Sequence, residues 1–496
     1  MIFKLNNLNT AQKIGQVIMP RIDFGDPDSL PMARTLLKDY QVGGFIIFNA
    51  VSEFVIEATS ELQELSDIPL FFACDGERGV GQIVKDMERF PFNMSIGAIG
   101  DEDLVYEQAS FIAHQMKDCG LNLLFAPVCD VNSNPNNPII NIRSYGDDPE
   151  LVSRLCSAFV KGCQDNGVLA CAKHFPGHGR TGVDSHIDLP VLDTELETLE
   201  KIDLVPFQAA IEAGVASIMT AHIGFSQIGD GSPATVSNEL ISGVLRDKMG
   251  YEGLVVTDSL HMEGIIKLGK EYDISTRALN AGADIILDPL NPMELVSNLA
   301  TLEPNHLGLD TKVERILNIK EKWLTNNAAN KVSEIDAIKL KERIANESVC
   351  FVKGRPSDLD GVSICPFDVT NCESEIYIPF IEQMESHGVN VVVADDSSRF
   401  RITEDSTIIC LVYTTIGAWK KQSTLPSRYI SSLKYIGPLN CKTILVSFGS
   451  PYVVEGLDSF DTVLCSFDIL DECQKAAADV LLGKISTKAK LPVSLK

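Results

Sequence analysis

The chain alternates between short, uninterrupted apolar runs and longer segments whose apolar residues recur every three or four positions. Continuous apolar runs of four to six residues predict strands covered on both faces, and the three-four spacing predicts amphipathic helices. Over the first 325 residues the strand runs fall at 15–19, 44–48, 70–74, 121–126, 168–172, 216–220, 254–257 and 283–287. Between them lie helical patterns such as Val105, Ala109, Ile112 and Met116, stopping near Gly120. About eight strand–helix units over this length predict an α/β fold of the (β/α)8 TIM-type barrel class with enlarged loops. The runs lead into polar residues: Asp75, Arg143 further along its loop, His174, His222, Asp258 and Asp288. In such barrels the C-terminal strand ends carry the chemistry, so the pattern predicts a site assembled from several loops.

A helix over 312–324 closes this half, and the Asn-rich segment 325–330 is expected to be a helix stop and linker. A helix over 335–346 then leads into a second series. Its strands are expected at 349–352, 389–393, 407–412, 443–446 and 462–465, with helices over 374–386 and 471–482 between them. This half is expected to be a smaller doubly wound α/β sandwich. The expected domains are residues 1–330, a catalytic barrel, and 331–496, the sandwich. No Gly-x-Gly-x-x-Gly or Walker loop occurs, Gly449-Ser450-Pro451 is expected to be a turn, and no cofactor is implied.

Composition narrows the partners. The 496 residues carry a formal net charge of −26, which argues against binding a phosphate backbone, hence against nucleic acid. No apolar run reaches the roughly 18 residues a membrane span needs, so no membrane association is expected. The segment 1–8 lacks a signal peptide's apolar stretch and cleavage site. The 13 cysteines form no Cys-x-x-Cys pair, and Cys74, Cys171 and Cys410 sit within strand runs. They are expected to be buried thiols in a reducing compartment, which places the chain in the cytoplasm. The oligomeric state is not legible.

The densest chemistry follows the fifth strand run. Lys173-His174-Phe175-Pro176-Gly177-His178-Gly179-Arg180-Thr181-Gly182-Val183-Asp184-Ser185-His186 packs a lysine, three histidines and an aspartate into a Gly/Pro-punctuated segment. Asp184-x-His186 places a carboxylate beside an imidazole, raising its basicity and fixing its orientation. Gly177, Gly179 and Gly182 would let such a loop swing over a bound substrate. Lys173 beside His174 at a strand end is costly to bury without a partner or ligand.

Read together, several segments resemble the family-three glycoside hydrolases, specifically their β-N-acetylglucosaminidase branch. They are the residues 122–131, Asn134-Pro135-Asn136-Asn137-Pro138, Arg143-Ser144-Tyr145-Gly146, the 173–186 segment, Met219-Thr220-Ala221-His222 and Val256-Thr257-Asp258-Ser259-Leu260-His261-Met262. They cover most of the first 300 residues in the family's order. The resemblance implies a retaining exo-β-N-acetylglucosaminidase acting on muropeptide or chitin-like fragments through a covalent glycosyl-enzyme. It implies Asp258 as nucleophile and His186, partnered by Asp184, as acid/base, where most glycosidases use a second carboxylic acid. Sugar recognition carries over to Asp75, Arg143, Lys173 and His174, and His222 and Met262 are expected to line the pocket. The segment 75–83 departs from the pattern: Ile83 stands where the bacterial enzymes usually have a sugar-holding arginine, and Arg78 is the expected substitute.

Simpler roles stand beside these. A strand-end aspartate such as Asp258 also caps helices, Arg143 also suits a surface ion pair, and His222 and Met262 also suit a packed core. The same framework admits a β-N-acetylglucosaminide phosphorylase, because a histidine repels incoming phosphate less than a carboxylate does. Two further readings are a barrel hydrolase with a metal held by His174, His178, Asp184, His186 and Asp188, and a non-catalytic sugar-binding protein. The metal reading lacks His-x-His on an early strand and a helical His-Glu-x-x-His, so no metal is expected. The expected partner is therefore a small-molecule carbohydrate.

Overall fold

A computed structural model describes residues 5–302, 307–325, 336–356, 359, 361–370, 375–394, 406–416 and 425–495. They fall into two compact units. The first comprises 1–89, 102–131 and 152–335, and the second 90–101, 132–151 and 336–496.

The first unit is built on eight parallel strands. β1 runs through Ile18–Met19 and, after Pro20, Arg21–Asp23. It is followed by β2 (Gly44–Phe48), β3 (Phe71–Cys74), β4 (Leu123–Leu124), β5 (Leu169–Phe175), β6 (Ser217–Thr220), β7 (Leu254–Thr257) and β8 (Ile286–Leu287). Each strand pairs with its sequence neighbour from β1 to β7. β8 closes the ring, pairing Ile286 with Ile18 on one side and bridging Ile285 to Val256 on the other. Their residues are almost all buried, as a sheet filled inside and covered outside requires.

Helices follow the strands in turn: Ser29–Tyr40, Ser52–Glu64, Glu102–Asp118, Pro149–Asp165, Val205–Glu212, Glu239–Lys248, Glu271–Ala281 and Pro292–Leu299. The stripe Val105, Ala109, Ile112 and Met116 is wholly buried, as its spacing predicts. Some strand edges differ from expectation. Gly15 and Gln16 end a helix rather than begin β1, and β4 shrinks to two residues. β5 runs three residues past Ala172, so Lys173 and His174 are strand residues rather than loop residues.

The second unit contains β9 (Cys350–Lys353), β10 (Val362–Asp368), β11 (Val391–Val393), β12 (Thr407–Tyr413), β13 (Lys442–Phe448) and β14 (Thr462–Ser466). Their order is β11-β10-β12-β13-β14-β9, parallel except for antiparallel β9 at the edge. That is the doubly wound arrangement with one added strand. One face packs against the helices Ala337–Ser348, Ile378–Ser386 and Asp471–Leu481. The other buries Leu433 and Ile436 of the helix Ser427–Ile436 together with Met94, Ala98 and Ile142 from the two earlier segments. Those segments interlock at Gly97, where a Cβ would lie 1.7 Å from the Tyr145 carbonyl oxygen. Gly449 turns the chain at φ +112° after β13, in the expected turn. Residues 1–4, 326–330 of the expected linker, and 335 and 374 of the expected helices lie outside the described residues.

Candidate active site

The site is built at the C-terminal ends of the barrel strands. Lys173, on β5, is buried, and its ammonium lies 2.7 Å from Asp75 Oδ1 and 2.8 Å from Glu77 Oε1. Of the three side chains only Asp75 is substantially exposed, at 31%. The buried pair therefore pins a carboxylate that faces outward, a suitable hydroxyl acceptor. Arg78 is buried beside Glu77, in the tight turn closed by the Gly79 N–H donating to the Gly76 carbonyl. Ile83 is half-buried.

His174 is held by a residue the sequence reading did not single out. Asp130 Oδ2 lies 2.8 Å from His174 Nδ1, while Asp130 Oδ1 accepts the backbone N–H groups of His174 and His178. Burial pushes the Asp130 carboxyl up, but His174, His178 and these donors outweigh it and hold it below the usual range. One buried carboxylate thus fixes a ring and the start of the loop beyond it. The available signal was an aspartate set within the apolar stretch Val128-Cys129-Asp130-Val131, which must find a partner once buried.

Beyond β5 the loop is tied at its base. Arg180 Nε donates to buried Asp203 Oδ2 at 2.6 Å, and burial pushes the Asp203 carboxyl up to about 6. Gly177, at φ +135°, lets the chain pass Asp203, whose Cβ lies 2.8 Å from where a side chain would begin. His178 spends both ring nitrogens on hydroxyls, Nδ1 on Thr181 and Nε2 on Ser185, each at 2.8 Å. At the loop's far end His186 Nδ1 lies 2.8 Å from Asp184 Oδ1, which also accepts the His186 backbone N–H. The Asp184 side chain is 2% exposed and the His186 side chain 24%, so the ring meets solvent while its partner does not.

Asp258 stands half-buried at the tip of β7. Enclosure pushes its carboxyl up; His222, His174, His186 and the Ser259 N–H pull it down more strongly, leaving it ionised at neutral pH. The 173–186 segment and the tip of β7 are thus brought within electrostatic reach. The next helix, Glu263–Ile266, has Met262 at its N-cap position, so Asp258 is not its cap. Asp288, buried with φ +52°, takes both Arg21 and the Ser259 hydroxyl, bracing the residue beside Asp258.

His222 is fully buried, its Nδ1 2.8 Å from the Thr235 hydroxyl and its Nε2 3.0 Å from the Ser259 carbonyl. Burial pushes the pKa of this ring down, against the pull of Asp258. Met262 is also buried. Arg143 belongs to the second unit, on the turn Asn141–Arg143, where its Nη1 donates to the Ile139 carbonyl and its own carbonyl accepts from Asn93. Asp188, one of the five candidate metal ligands, is exposed and paired with Lys267. Among the described residues no three His, Cys, Asp or Glu side chains converge as a metal site would need.

The profile of the Glycosyl hydrolase family 3 N terminal domain matches residues 9–319. The chain belongs to glycosyl hydrolase family 3. A β-hexosaminidase A from Pseudoalteromonas piscicida is 35% identical over 381 residues, 65% of this chain and 62% of that protein. The match therefore spans somewhat less than two thirds of that relative. A β-hexosaminidase from Neisseria meningitidis serogroup C is 34% identical over 274 residues, 53% of this chain and 75% of that protein. Among solved structures, a family 3 β-N-acetylglucosaminidase from Paenibacillus superposes with a TM-score of 0.83 at 29% identity, over 99% of each chain. A β-glucoside phosphorylase superposes with a TM-score of 0.88 at 26% identity, over 99% of this chain and 95% of that one. Both halves of the fold are thus those of family 3 proteins.

Proposed function

We propose that this family 3 protein is a retaining exo-β-N-acetylglucosaminidase that removes terminal GlcNAc from muropeptide or chitin-like fragments, with the barrel unit carrying the catalysis. The observation that supports it best is the pairing of an ionised strand-tip carboxylate, Asp258, with an imidazole held by its own buried carboxylate, His186 on Asp184. Asp258 attacks the anomeric carbon as His186 passes a proton to the departing oxygen. The ring then takes a proton from water as that water displaces Asp258. With Asp184 holding Nδ1, this exchange falls to Nε2. Asp75, set by Lys173, and His174, set by Asp130, orient the hydroxyls, and Arg78 is assigned to the same task.

The test uses two variants. Asp258→Ala is expected to abolish turnover. His186→Ala is expected to lower kcat/KM on GlcNAc disaccharides by about 100-fold or more while sparing activated aryl glycosides, which need no proton. Equal losses on both would refute the acid role, and trapping with a fluorinated GlcNAc donor followed by mass spectrometry identifies the attacked residue. The second reading, phosphorolysis, is favoured by the likeness to a β-glucoside phosphorylase. Formation of GlcNAc 1-phosphate at millimolar phosphate would establish it, and release of free GlcNAc alone would remove it. A reducing cytoplasm fits the twelve described cysteines, all free thiols and eleven of them buried. Among the described residues no helix is long and apolar enough to cross a membrane.

A further inference from the structure

The loop that carries Asp184 and His186 rests on the segment just after the β7 tip. The Gly264 N–H donates to the Ser185 carbonyl at 3.1 Å. A Cβ on Gly264 would stand 2.6 Å from that same oxygen and 3.0 Å from the Asp188 carbonyl oxygen. Both contacts are with backbone, so a side chain there cannot be absorbed by a rotamer change. Three residues on, the Lys267 ammonium donates to the Ile187 carbonyl at 3.2 Å and to Asp188 Oδ1 at 2.9 Å. The loop is also drawn tight within itself: the Asp184 carbonyl accepts the N–H groups of both Ile187 and Asp188. Beyond His178, which Asp130 holds, it is therefore fastened by Arg180 on Asp203 and by 185–188 on 264–267. Exposed Gly182 and Val183 lie between the two.

We infer that Gly264 and Lys267 form a seat for the 184–188 turn, and so are positioning residues that set the His186 ring against Asp258. This rests on the roles proposed for those two residues. The same short segment that follows the nucleophile then fixes where the acid/base comes to rest. The absence of a Cβ at 264 gives the turn its close approach, and Lys267 ties down its far edge.

The experiment compares wild type, Gly264→Ala and Lys267→Met on GlcNAc disaccharides and on a dinitrophenyl GlcNAc glycoside. Hydrogen exchange is followed across residues 182–190 of each full-length protein. Gly264→Ala is expected to lower kcat/KM on the disaccharide by about 100-fold, the scale of a misplacement near 1 Å. The activated glycoside should be spared in kcat/KM, and azide, a nucleophile that needs no base, should restore its kcat. Lys267→Met, which removes an exposed pair and leaves the fold alone, should show the same pattern at roughly two- to fivefold. Both variants should exchange faster across 182–190. Equal losses on both substrates without azide rescue, or unchanged exchange in that segment, would overturn the inference. A wild type inactive on both substrates would sink the glycosidase reading, while the exchange measurement would still report on the seat.

Discussion

At the scale of single residues, the site and the scaffold solve the problem of a buried charge differently. Asp130 and Lys173 are buried but paired, and they hold His174 and Asp75, the two groups proposed to orient the sugar. Among the described residues no acid pairs with Lys320. Fully buried near the N-terminal ends of β1 and β3, its amine donates to Gln16 Oε1 at 2.8 Å and lies 5.0 Å from the centre of the Phe71 ring. Burial pushes its pKa down to about 7. The unfolded chain holds that proton up to about 10.4. Between these values the unfolded state binds a proton the folded state lacks, so this lysine destabilises most at and below pH 7 and least above pH 10. Lys320→Met keeps the volume and removes the amine. We expect it to raise Tm by several degrees at pH 7, with the gain shrinking as pH approaches 10. Scanning calorimetry at pH 7, 8.5 and 10 checks this, and a gain independent of pH would show the amine to be irrelevant. Asp130 was harder to foresee than the histidines, because the rings and N–H groups it serves lie 44 and 48 positions away. Short motifs such as Asp184-x-His186 contain their partner; Asp130 does not.

At the scale of elements, periodicity predicted those stabilised by their own burial pattern and failed where pairing across the fold decides. The helix Glu102–Asp118 falls where its stripe puts it. β10 was not foreseen, because Pro366 interrupts its apolar run and proline lacks a ladder donor. β11 pairs with β10 only as far as Ile364, so on that side no strand ladder asks Pro366 for a donor. β5 continued past Ala172 for the opposite reason: Lys173 stays in the strand because Asp75 and Glu77, brought from the end of β3, pair with its ammonium. Lys173→Met therefore takes the ammonium away from buried Glu77. We expect a cost of about 3–5 kcal/mol to the barrel and loss of sugar binding through Asp75. Adding Glu77→Gln should recover part of the stability in denaturant titrations but not the affinity for GlcNAc. Full recovery of binding would show that Lys173 acts only within the fold.

At the scale of the whole molecule, the two halves were legible as two series of strands and helices, but the assignment of loops to halves was not. Residues 90–101 and 132–151 precede the second series by some 200 positions in sequence, yet they group with it. Met94, Ala98 and Ile142 enter a core to which β10, β12, β13, β14 and the helix Ser427–Ile436 all contribute. The backbone after Tyr145 is fixed by the chain's far end, where the Asp147 N–H donates to the Pro492 carbonyl and Asp147 Oδ2 accepts the Ser494 N–H. Linear hydrophobic patterns carry no record of such pairings, since any apolar segment of this size suits any apolar face. A fragment ending at residue 330 should keep every barrel strand but leave Phe92, Met94, Ala98 and Ile142 without the sheet that covers them. Exposed apolar patches of that kind drive association. We expect fragment 1–330 to aggregate on expression, and replacement of these four residues by polar ones to restore a monodisperse barrel by gel filtration. If the unaltered fragment proves monodisperse and folds with the intact chain's Tm, the two segments do not need the second unit's core, and the barrel ends where a linear division of the chain would put it.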